Sequence, residues 1–166
     1  YLYAGSNNVD SVAWYGNKGM QQVGQLMPNE LGIYDMSGNG LERCVDYLEY
    51  HQPYESGDVV NPRGKIRQNG NRAYRGGAHN MHKDSVRVTH RAPQTPTFTS
   101  INVGARLVMN EEHHFQTFNV GSVWFDMIYV KGGTFMMGCT QEMDSDAYAH
   151  ESPMHEVTLS DYYIGQ

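Results

Sequence analysis

Apolar residues in this chain rarely recur with a helical period. No window carries them at i, i+3, i+4 and i+7 over three turns without a glycine or proline breaking the run. The best helical segment is Gly40 to Tyr50, which follows the turn-forming Ser37-Gly38-Asn39-Gly40. Strand signals are stronger. Arg72 to Arg75, the alternating Ser85-Val-Arg-Val-Thr-His90, and Val103 to Met109 read as strands. Trp124 to Val130, Thr134 to Met137 and His155 to Leu159 complete the set, with Lys131-Gly132-Gly133 predicted as a hairpin turn. Two stretches carry no period. Gln52 to Asn71 holds two prolines and three glycines, and Ala92 to Asn102 is a polar loop between strands. Loops of that length in one domain tend to carry function.

Composition sharpens this picture. Of 166 residues, 39% are apolar and 18% charged, against the usual ~45–50% and ~25%. Together with 18 glycines and 12 tyrosines, this predicts a loop-rich, β-leaning domain. No run of ~18 apolar residues exists, so no membrane span is expected. The net charge of −6 argues against a general nucleic-acid surface. Two cysteines, Cys44 and Cys139, make neither a disulfide scaffold nor a thiolate zinc site. Tyr1 to Asp10 has neither the basic nor the apolar stretch of a leader, and the chain reads as a fragment or a processed piece. A polar seam, Glu111 to Thr117 with His113 and His114, reads as a solvated linker.

Three groups of motifs carry a family resemblance. Met127-Ile-Tyr-Val-Lys-Gly-Gly-Thr-Phe-Met-Met-Gly138, His155 to Ser160 and Tyr162-Tyr-Ile-Gly165 resemble the opening of a formylglycine-generating-enzyme (sulfatase-modifying factor) type domain. Asn29-Glu-Leu-Gly-Ile-Tyr-Asp-Met-Ser-Gly-Asn39 with Glu42 resembles its central motif. Arg75-Gly-Gly77, Arg87, Arg91, Asn102-Val-Gly104 and Arg106-Leu107 resemble its closing stretch. The resemblance implies an α+β, loop-rich fold of modified C-type lectin type, with a small twisted antiparallel sheet and few helices. The order is inverted: the C-terminal half of the family pattern occupies residues 1–110, residues 111–117 link, and the N-terminal strands occupy residues 118–166. Two readings stay open. The second piece is either the head of a next repeat in a tandem protein or a permuted part of the same domain, which a fold with neighbouring termini tolerates. Exchange of that piece between chains, or repeat packing, would give self-association.

Candidate chemistry follows the same alignment. The enzymes of this family use two cysteines that fall here on Met81 and Val86, so formylglycine generation is not expected. His79, His82 and His90 lie in one region and form the rival transition-metal set; His155 reads as structural. Asp35-Met-Ser-Gly38-Asn-Gly40-Leu-Glu42 places two carboxylates around tight glycine turns, which suits a hard cation. The resemblance implies calcium there, with side-chain oxygens from Asp35 and Glu42 and carbonyls from Gly38 and Gly40, and a second site beginning at Asn8 and Val9. It also implies that Cys44 lacks its usual partner, since that position is now Val86.

The functional expectation is a non-catalytic binding or scaffold module. Loops 78–84 and 92–102 would present His79, Asn80, His82, Lys83, Thr95, Thr97, Phe98, Thr99 and Ser100 to a protein or glycan ligand, mixing adaptable polar groups with an aromatic anchor. The family includes variable ligand-binding proteins of bacterial retroelements and bacterial surface lipoproteins, which implies a bacterial, exported protein. The alternatives are a metal- and oxygen-dependent sulfatase-modifying relative with an altered site, and a purely structural repeat of a larger surface protein.

Overall fold

The computed structural model describes residues 1–62, 70–109, 117–120, 123–140 and 148–165. Strands dominate and helices are few. In chain order the elements are α1 (Val9–Val12), β1 (Ala13–Trp14), β2 (Ser37–Gly38), β3 (Leu41–Tyr47), β4 (Val59–Val60), β5 (Arg72–Arg75), β6 (Ala92–Gln94), β7 (Val103–Gly104), β8 (Val108–Met109), β9 (Thr117–Val120), β10 (Val123–Val130), β11 (Gly133–Met137), β12 (His155–Leu159) and β13 (Tyr162–Gly165). Two single 3-10 turns, Lys83–Val86 and Ala149–Glu151, complete the set. The strands form a parallel pair β1-β2 and three further sheets ordered β8-β13-β10-β9, β11-β12-β4 and β6-β5-β3-β7.

Four sequence expectations need correction. Gly40 to Tyr50 is not a helix. Leu41–Tyr47 is a strand between β5 and β7, because burying Leu41 beside Tyr74 outweighs a weak helical pattern that begins at a glycine turn. Ser85 to His90 is not a strand. The chain turns through Lys83–Val86, and the adjacent Val86 and Arg87 are both buried, at 0% and 2% exposure, which a period of two does not allow. Val103 to Met109 is two short strands broken at residues 105–107, where Arg106 turns inward to pair with Glu42. Lys131-Gly132-Gly133 does not close a hairpin. β10 pairs with β9 and β13 while β11 pairs with β12, so this turn hands the chain from one sheet to another. The Gly132 amide is held there by the Asp161 carboxylate at 2.8 Å.

Residues from both ends of the chain share sheets and core. β13 pairs antiparallel with β8, Ile164 opposite Val108. β12 pairs parallel with β4, Val157 opposite Val59. Ile33 packs with Val130 and Ile164. Arg87 and Glu151 form an ion pair at 3.4 Å with side chains 2% and 0% exposed, and Thr89 donates to the same carboxylate at 2.9 Å. Arg106 donates to the Gly165 carbonyl at 2.8 Å. The expected linker, with His113 and His114, lies outside the described residues except for Thr117, which opens β9.

Candidate functional site

The segment after β5 begins with two glycines of positive φ. A Cβ on Gly77 (φ +71°) would sit 2.3 Å from the Ser85 carbonyl oxygen, so only glycine permits this close return of the chain. The fold thereby sets loop 78–84 against loop 92–102. His79 Nε2 and Asn102 Oδ1 meet at 2.8 Å and tie the two together. The asparagine oxygen only accepts, so Nε2 carries the proton in this contact. Around the tie, Asn80, His82, Lys83, Thr95, Thr97 and Thr99 are exposed.

Phe98 is placed differently from the sequence expectation of a freely presented contact. It is half-buried, edge-on to Tyr74 with ring centroids 5.9 Å apart, and packs on the Leu41, Tyr74 and Ala78 cluster. It therefore anchors its loop. The apolar side chain that does face solvent is Ile101, 89% exposed. Ile101 was not among the contacts read from the sequence, although it is the one large aliphatic side chain of loop 92–102.

The two thiolate positions of the resemblance are apolar and packed. Met81 lies against the Tyr74 cluster, and its carbonyl accepts from the Gly16 amide at 2.8 Å. Val86 is fully buried with Tyr3, Val12 and Ala13. The rival histidines take separate partners. His79 bonds Asn102, His82 bonds Asp84 at 2.8 Å, and His90 lies near the Tyr148 ring at 6.0 Å between centroids. Among the described residues, no three His, Cys, Asp or Glu side chains gather as a metal cluster. Burial, first, and then the neighbouring His150 and Arg87 lower the His90 pKa to about 4.

The carboxylates of the central motif do converge. Asp35, Asn39, Gly40, Glu42 and Arg106 line one cleft of about 360 Å³. Arg106 engages Glu42 through Oε1 alone, from Nε at 2.9 Å and from the terminal nitrogen at 2.8 Å. Asp35 Oδ2 accepts from the Gly24 amide at 2.7 Å. Among the described residues the other oxygen of each carboxylate accepts no hydrogen bond, and two carboxylates lining one cleft are a donor set that suits a hard cation. Gly38 lies outside this lining, pressed against Trp14, and its amide donates to the Gly76 carbonyl at 2.7 Å. Asn8 and Val9 are elsewhere: Asn8 caps α1 through its side chain, and Val9 is the first residue of that helix.

Comparison with known proteins points to one family. Residues 3–111 match the family model described as the sulfatase-modifying factor enzyme 1-like domain. The chain is 38% identical over 76 residues to the chaperone protein LppX of Paenibacillus barcinonensis, covering 34% of this chain and 27% of that protein. It is 28% identical over 108 residues to the formylglycine-generating enzyme of Bos taurus, covering 63% and 28%. Among solved structures, Treponema denticola variable protein 1 superimposes with a TM-score of 0.55 at 26% identity, over 63% of this chain and 39% of that one. The chain therefore spans well under half the length of each of these relatives. The loop-rich, lectin-like strand framework expected from the sequence is the one these matches support.

Proposed function

The chain belongs to the sulfatase-modifying factor enzyme 1-like domain family, and on that premise we propose that it is a non-catalytic binding module. Loops 78–84 and 92–102 form its partner-facing surface, and the partner is a protein or a glycan. The observation that carries this reading is the pair Met81 and Val86. Where the family's oxygen chemistry needs two thiolates, this chain has a packed thioether and a fully buried methyl pair, neither of which can become a thiolate. The polar rim around the His79–Asn102 tie, with Ile101 at its edge, supports adaptable contact with a partner. A bacterial, exported setting belongs to the same reading.

Calcium is part of the proposal as a structural ion. Asp35 and Glu42 would hold it with their second oxygens, assisted by the Gly40 carbonyl, and bound there it would brace the cleft beside the Arg106–Glu42 pair. Residues 1–110 and 118–166 are taken as one permuted domain. The shared sheets and the Arg87–Glu151 pair support this over the tandem alternative.

The test has two arms. The chain is screened on a glycan array and against a displayed peptide library, and each hit is remeasured with Thr97→Glu and Ile101→Asp. Loss of binding in these variants, with unchanged melting, is expected. In parallel, a sulfatase peptide bearing the target cysteine is incubated with the chain and copper. Conversion of that cysteine to formylglycine, or a redox metal held at about one per chain and lost on His79→Ala, would overturn the proposal in favour of the enzyme reading.

A further inference from the structure

The sheet of β3 and β5 has a second face. Leu41 and Tyr74 point toward the loops, while Cys44, Ala73 and Arg75 line a cleft of about 320 Å³ on the other side. The opposite wall comes from the other end of the chain. Alternate residues of β11 and β12 (Phe135 and Met137, then His155, Val157 and Leu159) face the same space, as a period of two requires. The volume sits at the lower end of the range for small-molecule sites, ~300–1,000 Å³.

The polar groups in this apolar cleft are unbalanced. Arg91 is 9% exposed. Its terminal nitrogen donates to the Gln52 and His150 carbonyls, and its buried Nε has no partner among the described residues. Arg75 donates to the Thr89 and His90 carbonyls at 3.1 and 3.2 Å and to the Tyr54 hydroxyl at 2.8 Å. The described residues give neither guanidinium a carboxylate partner. Glu151, which is paired with Arg87, acts on Arg91 only as a coulombic neighbour, and a buried donor without an acceptor is costly. Tyr54 accepts from Arg75 and lies under Arg91 at 3.8 Å, so it keeps its own hydroxyl hydrogen to donate. Asp46 and Glu55 also line the cleft, and both are already partnered.

We propose that this cleft binds a small organic carboxylate, its apolar body against Phe135, Met137 and Leu159 and its carboxylate taken by Arg91 and the Tyr54 hydroxyl beside Arg75. The unpartnered Arg91 Nε–H and the Tyr54 hydroxyl hydrogen are two donors for the two oxygens of one carboxylate. The apolar walls require a hydrocarbon or aromatic body of about ten to fifteen non-hydrogen atoms. The site lies across the sheet from the loops, so it is separate from the partner surface and stands whether or not that surface binds anything.

The test is calorimetric titration of the full chain with 4-phenylbutyrate and with octanoate, and with 4-phenylbutan-1-ol as the neutral counterpart. One carboxylate is expected to bind at a single site with a millimolar or tighter constant, and the alcohol at least about tenfold more weakly. Phe135 is 43% exposed, so Phe135→Ala should fold normally and weaken binding about fivefold or more. Arg91→Lys keeps the charge and removes the Nε–H, and should cost about tenfold; if that variant does not fold, the Phe135→Ala result decides. Failure of both carboxylates to bind at about 10 mM, equal binding of the alcohol, or indifference to Phe135→Ala overturns the proposal.

Discussion

Glu151 is the residue whose replacement most directly tests how the two ends of the chain hold together. It sits 64 positions from Arg87, with its side chain fully buried against a guanidinium that is itself 2% exposed. Glu151→Gln keeps the shape and the hydrogen-bonding capacity toward Thr89, and removes the charge. Removing one partner of a buried pair costs about 3–5 kcal/mol, because the remaining ion stays desolvated. The Arg87–Glu151 separations, 3.4 and 3.5 Å, are long for a charge-assisted bond, so the lower figure applies. For a chain of this size about 3 kcal/mol lowers the thermal midpoint by about 6–12 °C. The assay is circular-dichroism melting of the parent, Glu151→Gln, and the double variant Arg87→Met/Glu151→Leu. The double variant should recover much of the loss, since an apolar pair replaces a buried ion pair at little cost. If Glu151→Gln melted with the parent, the 148–151 segment would not be seated on Arg87, and the reasoning would fail.

Other outcomes follow from the same coordinates. His90 has its pKa lowered to about 4 by burial and by the positive neighbours His150, Arg87 and Arg75, against an opposing pull from Asp84. The unfolded chain therefore takes up the proton first, and the contribution is fully present above pH ~6.5 and lost as pH falls toward ~4, about 3 kcal/mol in all. Urea titrations between pH 7 and 4.5 should show this slope, and His90→Phe should flatten it; an equal slope in the variant would refute the assignment. The Cys44 thiol is pushed up to about 11, chiefly by burial, so at pH 8 about one thiol in a thousand is ionised. Site-mapped maleimide labelling should be about two hundredfold slower at Cys44 in the native chain than in free cysteine, and rapid labelling would contradict the burial. Phe98→Ala should destabilise by about 2 kcal/mol, a half-buried share of the usual cost, whereas Ile101→Ser should leave the urea midpoint unchanged. The reverse ranking would mean that Phe98 is the presented residue after all.

The legible part of this molecule was the part written in local pattern. The strands near Trp124, Thr134 and His155 stand where the sequence places them, and the glycine pair at residues 76–77 marks a backbone return that no side chain would allow. Three residues of the central motif, Asp35, Gly40 and Glu42, line one cleft. Tertiary partners hid the rest. Ser85 to His90 alternates like a strand, but Arg87 turns inward for Glu151, a residue no local window contains. Leu41 to Tyr47 was misread because its strand character comes from β5 and β7, which arrive 25 or more positions later. The second cleft was invisible for the same reason. Its walls come from β3 and β5 on one side and β11 and β12 on the other, and the unmatched guanidinium of Arg91 shows only once the carbonyls of Gln52 and His150 are in place.

The proposed calcium ion would brace one domain assembled from both ends of this chain. Thermal unfolding of the isolated chain, in calcium and in chelator, tests it most directly. A ligand held only by the native state at a hundredfold excess over its dissociation constant adds about 2.7 kcal/mol. The predicted result is a single cooperative transition whose midpoint rises with calcium in the parent and does not move in Asp35→Asn or Glu42→Gln. A transition blind to calcium would remove the ion, and the absence of any cooperative transition would contradict the single domain itself.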